Sequence, residues 1–296
     1  MRPLLLLIAL AFAATACAQG TSSLPADGDG SETPATPSPN VSATEGSEAA
    51  TEASTPGEPT SAASAPPPWL GTRVLPEGDD GFGAVIDTPP ELRDRRLRTT
   101  DHLPPPEDRA FQSTVDDVPD EVLERSTWSP DCPVAADELA YVTLTFWGFD
   151  ELPHTGELLV HRSVAADVVD VFEAAYAARF PIEEMRIVAP YELDLPPTGD
   201  GNNTTAFVCR AVRGSQNWSQ HAKGLAIDIN PFHNPYVKGD LVLPELASAY
   251  VDRENVRPGM LREGGPFVTA FREIGWGWGG TWTHPIDWMH FSRDGG

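Results

Sequence analysis

The run Ser219-Gln-His-Ala-Lys-Gly-Leu-Ala-Ile-Asp-Ile-Asn-Pro231 puts an imidazole, His221, a short way ahead of a carboxylate, Asp228. Both are ligand types that suit Zn²⁺, and a third protein ligand would leave one coordination position for water. A turn at Gly224 can bring His221 back beside Asp228. Asp228 sits inside the apolar run Leu225-Ala-Ile-Asp-Ile229, where a buried carboxylate is costly unless paired or bound to metal. Taken alone, the pair also reads as a loop histidine hydrogen-bonded to a sheet-edge aspartate. A second cluster, Thr283-His-Pro-Ile-Asp-Trp-Met-His-Phe291, bears on that choice. If residues 286–291 form a strand, His290 supplies the third ligand. Asp287, one step off the alternation, then approaches the open position from the side. The chemistry this allows is hydrolysis: the metal polarises a carbonyl and makes its water acidic, and the carboxylate moves the proton to the leaving nitrogen.

Other residues around these motifs have substrate-side readings. Arg210 lies on a candidate strand ahead of the first motif, and its fork can hold a substrate carboxylate or a developing oxyanion; a surface salt bridge is the plainer reading. Ser219 can bond substrate or stabilise its own turn. Asn230-Pro-Phe-His-Asn-Pro-Tyr236 reads as a rigid loop at a cleft rim, with Asn234 and Tyr236 facing substrate. Trp282 and the tryptophans of Gly275-Trp-Gly-Trp-Gly-Gly280 offer stacking surfaces. That glycine run lacks the Lys-Ser/Thr of a phosphate-binding loop. His102, His154 and His161 have no ligand spacing, His233 has a weaker metal reading, and His284 is a candidate for contact behind the ligands.

The pattern Ser-x-His-x-x-Gly-x-Ala-x-Asp at 219–228, followed by Asp-x-x-His at 287–290, resembles the M15 (VanY-like) metallopeptidases that cut peptidoglycan stem peptides. The resemblance covers roughly residues 131–292. It implies that His221, Asp228 and His290 bind zinc and that Asp287 is the general base, on a Hedgehog/DD-peptidase-like α+β fold. It also strengthens the reading of Arg210, and it makes the Gly/Trp segment a pocket wall. Many relatives carry Glu and Trp where this chain has Asp287 and Met289. That change resembles the L-alanyl-D-glutamate endopeptidase-like branch more than the D-alanyl-D-alanine carboxypeptidase-like one. The competing function is a non-catalytic cell-wall-binding module that retains a zinc site.

The elements that must position these groups are legible from about residue 131. Tyr141-Val-Thr-Leu-Thr-Phe146 and residues 156–161 read as strands. Ser163 can cap a helix whose apolar positions Val164, Val168, Val171, Phe172, Ala175 and Tyr176 recur at helical period. Residues 185–188, 206–212 and 225–229 are further short strands. Together they predict an α+β domain over 131–296, a small antiparallel sheet flanked by helices.

Ahead of it, residues 69–130 read as a loosely packed extension wrapping on the core. Residues 20–68 are a Ser/Thr/Pro/Glu-rich linker with a reach of about 40 Å and no means of forming a core. Residues 1–19 read as a signal peptide. Thr15-Ala16-Cys17 leaves lipidation of Cys17 and simple secretion both open, so the expected location is extracytoplasmic and any membrane attachment runs through Cys17. Of three cysteines, Cys132 and Cys209 are left either as a disulfide or as two buried thiols. The formal net charge of -24 excludes nucleic acid held by bulk electrostatics. The expected partner is a peptidoglycan peptide bound by a monomer.

Overall fold

The computed structural model describes residues 63–78, 81–212 and 215–295. The leader, Cys17 and nearly all of the linker lie outside the described residues. Among those described, no helix is long and apolar enough to cross a membrane.

The alternation around Tyr141 builds the main sheet. Strands β1 (Ser113–Asp116), β2 (Leu139–Trp147) and β3 (Pro153–His161) pair antiparallel in that order, Leu139 opposite His161 and Trp147 opposite Pro153. Successive side chains of a strand face opposite ways. Ala140, Val142, Leu144 and Phe146 are therefore buried together on one face, against helix α2 (Ala165–Ala177) and helix α3 (Pro266–Glu273). α2 buries Val168, Val171, Phe172, Ala175 and Tyr176, the stripe its periodicity predicts, and Phe172 meets Phe267 of α3 edge-on at 5.1 Å. Its start differs from the expectation. The His161 ring, not the Ser163 hydroxyl, is the acceptor, taking bonds from the Ser163 backbone N–H (3.2 Å) and hydroxyl (2.8 Å). The other face of the sheet is covered by a smaller cluster of Leu139, Leu159, Ile187, Phe207 and Val122, the last from helix α1 (Asp120–Arg125). At its edge Cys132 and Cys209 form a disulfide, Cα atoms 5.9 Å apart.

The remaining strands are short. β4 (Glu184–Met185) and β5 (Asn203–Thr204) pair parallel. β6 (Ala226–Asp228), β9 (Gly277–Trp278) and β11 (His290–Ser292) form one antiparallel sheet with β11 central. β7 (Tyr236–Lys238), β8 (Leu241–Leu243) and β10 (Ile286–Asp287) form another with β7 central. The result is an α+β fold of small, mostly antiparallel sheets flanked by helices. Residues 206–212 are extended without joining a ladder beyond isolated bridges at Thr205 and Ala211. The single strand expected over 286–291 is instead two, in different sheets. Trp278 Nε1 donates to the Trp288 carbonyl (2.8 Å) and Ile229 N to the Met289 carbonyl (3.0 Å), so the chain changes partners at that point.

Residues 69–130 are more firmly built in than a loose extension. Leu75, Leu92 and Leu97 are buried with Phe232, Leu246 and Tyr250. The mixed-charge run 91–98 has only its first two residues in a 3-10 turn, Pro90–Leu92, and it buries Arg95. The Arg95 guanidinium donates twice to Glu183 (2.8 and 2.6 Å) and once to the Asp200 carbonyl (2.8 Å). A buried charge survives because each fork is matched. The network ends on His233, whose Nε2–H donates to the Arg95 carbonyl (2.9 Å) while Nδ1 accepts from Asn202 (3.1 Å). Both nitrogens of the neutral ring are thus used. Burial, and then the positive charges of Arg95, Arg253 and Arg257, push its pKa down to about 3, against the pull of the Arg95 carbonyl.

That shift has a defined sign. The folded value lies below the unfolded one, so the unfolded chain binds the proton first and stability falls as pH drops below about 6.5. The slope is about 1.4 kcal/mol per unit down to about pH 3. His233→Gln, which keeps a donor and an acceptor, should remove roughly 2 kcal/mol of the loss between pH 7 and 5. Urea unfolding at the two pH values checks this; equal losses in both proteins would contradict it.

Candidate metal centre

His221 is set by a local turn. It lies in the 3-10 segment Gln220–Lys223, capped by the Ser219 hydroxyl, which accepts from the His221 N–H (3.3 Å). Ser219 therefore fills the turn-stabilising role. The segment closes at Gly224 with φ +67, and a Cβ there would stand 2.5 Å from the His161 backbone nitrogen, so only glycine fits. Asp228 ends β6 and His290 begins β11, and the antiparallel register places them directly opposite each other. Directly opposed residues of a ladder present their side chains to the same face.

The three side chains converge. His221 Nε2 lies 3.3 Å from Asp228 Oδ2 and 3.3 Å from His290 Nδ1, and His290 Nδ1 lies 3.1 Å from Asp228 Oδ1. Such separations match the edge, about 3.3 Å, of a tetrahedron with ligand distances of about 2.0–2.1 Å. The tautomer supports the fit. His221 Nδ1–H donates to the Ala206 carbonyl at 2.6 Å, which leaves a lone pair on Nε2. A lone pair aimed at a carboxylate oxygen is repulsive unless a proton or cation lies between them. Among the described residues, His221, Asp228 and His290 are the group able to hold a metal ion. The Ala206 carbonyl was not foreseen from the sequence, since a backbone oxygen carries no residue signature.

Asp287 ends β10 opposite Tyr236 of β7. Burial, with the negative charge of Asp228 adding to it, pushes the Asp287 carboxyl up to about 7; His290, the Met289 N–H and Arg210 pull the other way. Its Oδ1 is screened from water and has no hydrogen-bond partner among the described residues. Burial alone would raise Asp228 too, but His221 and His290 outweigh it and hold that carboxyl well below the usual range. Two carboxylates whose affinities for a proton are pushed apart can divide roles, one staying a charged ligand and the other exchanging protons.

The other expected residues fall into two groups. Arg210 is exposed and near enough to lower the Asp287 pKa. Trp282 flanks His290 with ring centroids 5.7 Å apart, and the Tyr236 phenol is raised by burial and then by the charge of Asp287. Asn234 is different. It is fully buried, its amide donating to the Ile229 and Gly259 carbonyls (3.0 Å each) and its oxygen accepting from Leu261 N (2.7 Å). It braces the loop and has no surface to offer a substrate. His233 is committed to the Arg95 network and His284 is exposed. In the Gly/Trp segment, Trp276 is buried in the main core and Trp278 packs against it, so neither is a free stacking surface.

Residues 213–293 match the M15 peptidase family model described as D-alanyl-D-alanine carboxypeptidase. No curated protein and no solved structure matches the chain. The matched stretch contains His221, Asp228, Asp287 and His290, so the chain carries an M15-family, zinc-metallopeptidase-type domain with a His/Asp/His metal-binding cluster.

Gly279 is a positioning residue that sequence reading passed over. A Cβ there would lie 2.5 Å from the Asp287 carbonyl oxygen and 2.9 Å from its Cβ. Gly279→Ala should displace Asp287 while keeping the divalent-cation stoichiometry of the His221/Asp228/His290 cluster, and should lower kcat by about tenfold or more for any hydrolysis that uses the Asp287 carboxylate. Metal analysis beside steady-state kinetics tests this; unchanged kcat would refute it.

Proposed function

We propose that the chain is an exported zinc peptidase that hydrolyses an amide bond in a peptidoglycan stem peptide. The observation that carries this reading is Asp287, a carboxylate with an unpartnered, water-screened oxygen beside a His/Asp/His cluster. A site that only bound metal would have no use for it. The match of residues 213–293 supports the substrate class. The family description fits release of terminal D-Ala, whereas Asp287 and Met289 resemble the L-Ala–D-Glu endopeptidase branch, and mass analysis of the products separates the two cuts. The apolar leader, Cys17 and the linker suit a domain tethered to, or released from, the outer face of a membrane.

His221, Asp228 and His290 would hold the zinc, which when bound would supply a Lewis acid for the scissile carbonyl and for water. The Ala206 carbonyl keeps His221 in the ligand tautomer. Asp287 takes the proton of the attacking water and later delivers it to the leaving nitrogen. Arg210 draws the substrate carboxylate towards the cleft, or steadies the developing oxyanion, with Trp282 and Tyr236 as walls.

Asp287→Asn should retain zinc and lower kcat by about 100-fold or more, with little change in KM, because proton transfer is exercised in the transition state. Arg210→Gln should raise KM if the guanidinium only anchors substrate, and lower kcat if it contacts the oxyanion. Zinc-loaded, folded Asp287→Asn protein that cuts muropeptides at the wild-type rate would sink the mechanism.

A further inference from the structure

A second feature lies outside the metal-centre residues. Two adjoining cavities share Arg179, Pro181 and Pro258 and so form one groove. The larger, about 380 Å³, is lined by Phe180, Met260, Leu261 and Phe267 and carries Arg179, Arg257 and Arg262, with no carboxylate in its lining. The smaller, about 330 Å³, adds Trp147 and Arg96 and has Glu151 as its acidic member.

The charge balance here runs against the rest of the molecule. The chain has 44 acidic and 20 basic residues, yet Arg179, Arg257 and Arg262 form no ion pair among the described residues. Glu263, next to Arg262, is taken by Arg272. Two of the guanidiniums are held in place by aromatic rings: Arg179 over Trp147 at 4.8 Å, and Arg257 over Tyr250 at 4.7 Å. Arg253 lies close by, donating to the His233 and Leu261 carbonyls and to Asn234. Its pKa is pushed down to about 10 by burial and then by the charges of Arg257 and Arg262, which reports uncompensated positive potential at that spot. Arg257 Nη1 donates to the Ala249 and Asn255 carbonyls (3.1 and 3.3 Å), but none of the three arginines has a carboxylate partner among the described residues, so their charge is available for an anion.

We propose that this groove binds the phosphate oxygens of an anionic ligand. Three guanidiniums present more donors and charge than one carboxylate can satisfy, whereas a phosphate group offers three acceptor oxygens and up to two charges. Exposure of Arg179 and Arg262 makes the contact salt-sensitive, and the surrounding net charge of -24 confines it to the groove. The phosphate can come from a small monoester or from a strand of phosphodiesters running along both cavities.

Calorimetric titration of the full-length protein with glycerol 3-phosphate and with a phosphodiester-linked glycerol phosphate oligomer, at fixed ionic strength, tests this. The expected result is saturable binding of at least one of them, weakened tenfold or more by the double substitution Arg179→Gln and Arg262→Gln. Both side chains are exposed and neither has an ion pair among the described residues, Arg179 contacting the Trp147 ring, so circular dichroism should stay as in the wild type and melting temperature close to it; if the double variant unfolds, Arg262→Gln alone is read in its place. Binding should persist in His221→Ala, which separates the groove from the metal centre and makes the result independent of the proposed hydrolysis. Tighter binding of the oligomer identifies a polymer as the source, tighter binding of the monoester a small ligand. Absence of binding by both, binding untouched by the arginine substitutions, or binding lost in His221→Ala overturns the proposal.

Discussion

The pairing of β6 with β11 is the constraint on which the metal centre depends. It sets Asp228 opposite His290, and a shift of one residue would turn one of the two side chains to the other face. Ile227 and Phe291, one step along, are both fully buried, so the register is held by the hydrophobic core. His221 then needs only a turn, supplied by Ser219 and Gly224, and an acceptor for its far nitrogen, supplied by Ala206. The energy that holds the ligands in place thus comes from burial of neighbouring apolar side chains, and the ligands themselves add little beyond mutual electrostatic demand for a cation.

The two carboxylates of this small site sit in opposite electrostatic surroundings. Asp228 faces two imidazoles and is held ionised, while Asp287 faces burial and a like charge and is raised. Strand β10 places Asp287 in a sheet different from that of the ligands, and Gly279 lets the chain approach it. Asp287 and the three residues able to hold a metal are therefore anchored in separate sheets.

Much of this site was legible in the sequence because its ligands come from two short motifs with the right residue types in the right order. The main sheet and α2 were legible for a related reason: alternation and helical period are local signals. What the sequence hid was non-local. Arg95 reads as part of a charged surface run, yet Glu183, Asp200 and His233 enclose it. Asn234 looked like a rim residue because turns favour asparagine, but its polar groups are all spent on backbone. The last strand was expected to be continuous because its residues are apolar enough, and the break at Trp288 is imposed by a hydrogen bond from Trp278. Trp276 and Trp278 misled in the same way, since a glycine-rich loop gives no hint that its tryptophans turn inward.

We propose amide hydrolysis driven by a metal held by His221, Asp228 and His290. It is tested most directly by mass-spectrometric assay of a defined stem peptide with the protein as purified, after chelation, and after addition of one equivalent of zinc. The expected result is one specific amide cut, lost on chelation and restored by zinc. Cleavage that survives complete metal removal, or zinc-loaded, folded protein that cuts no stem-peptide bond, would contradict it.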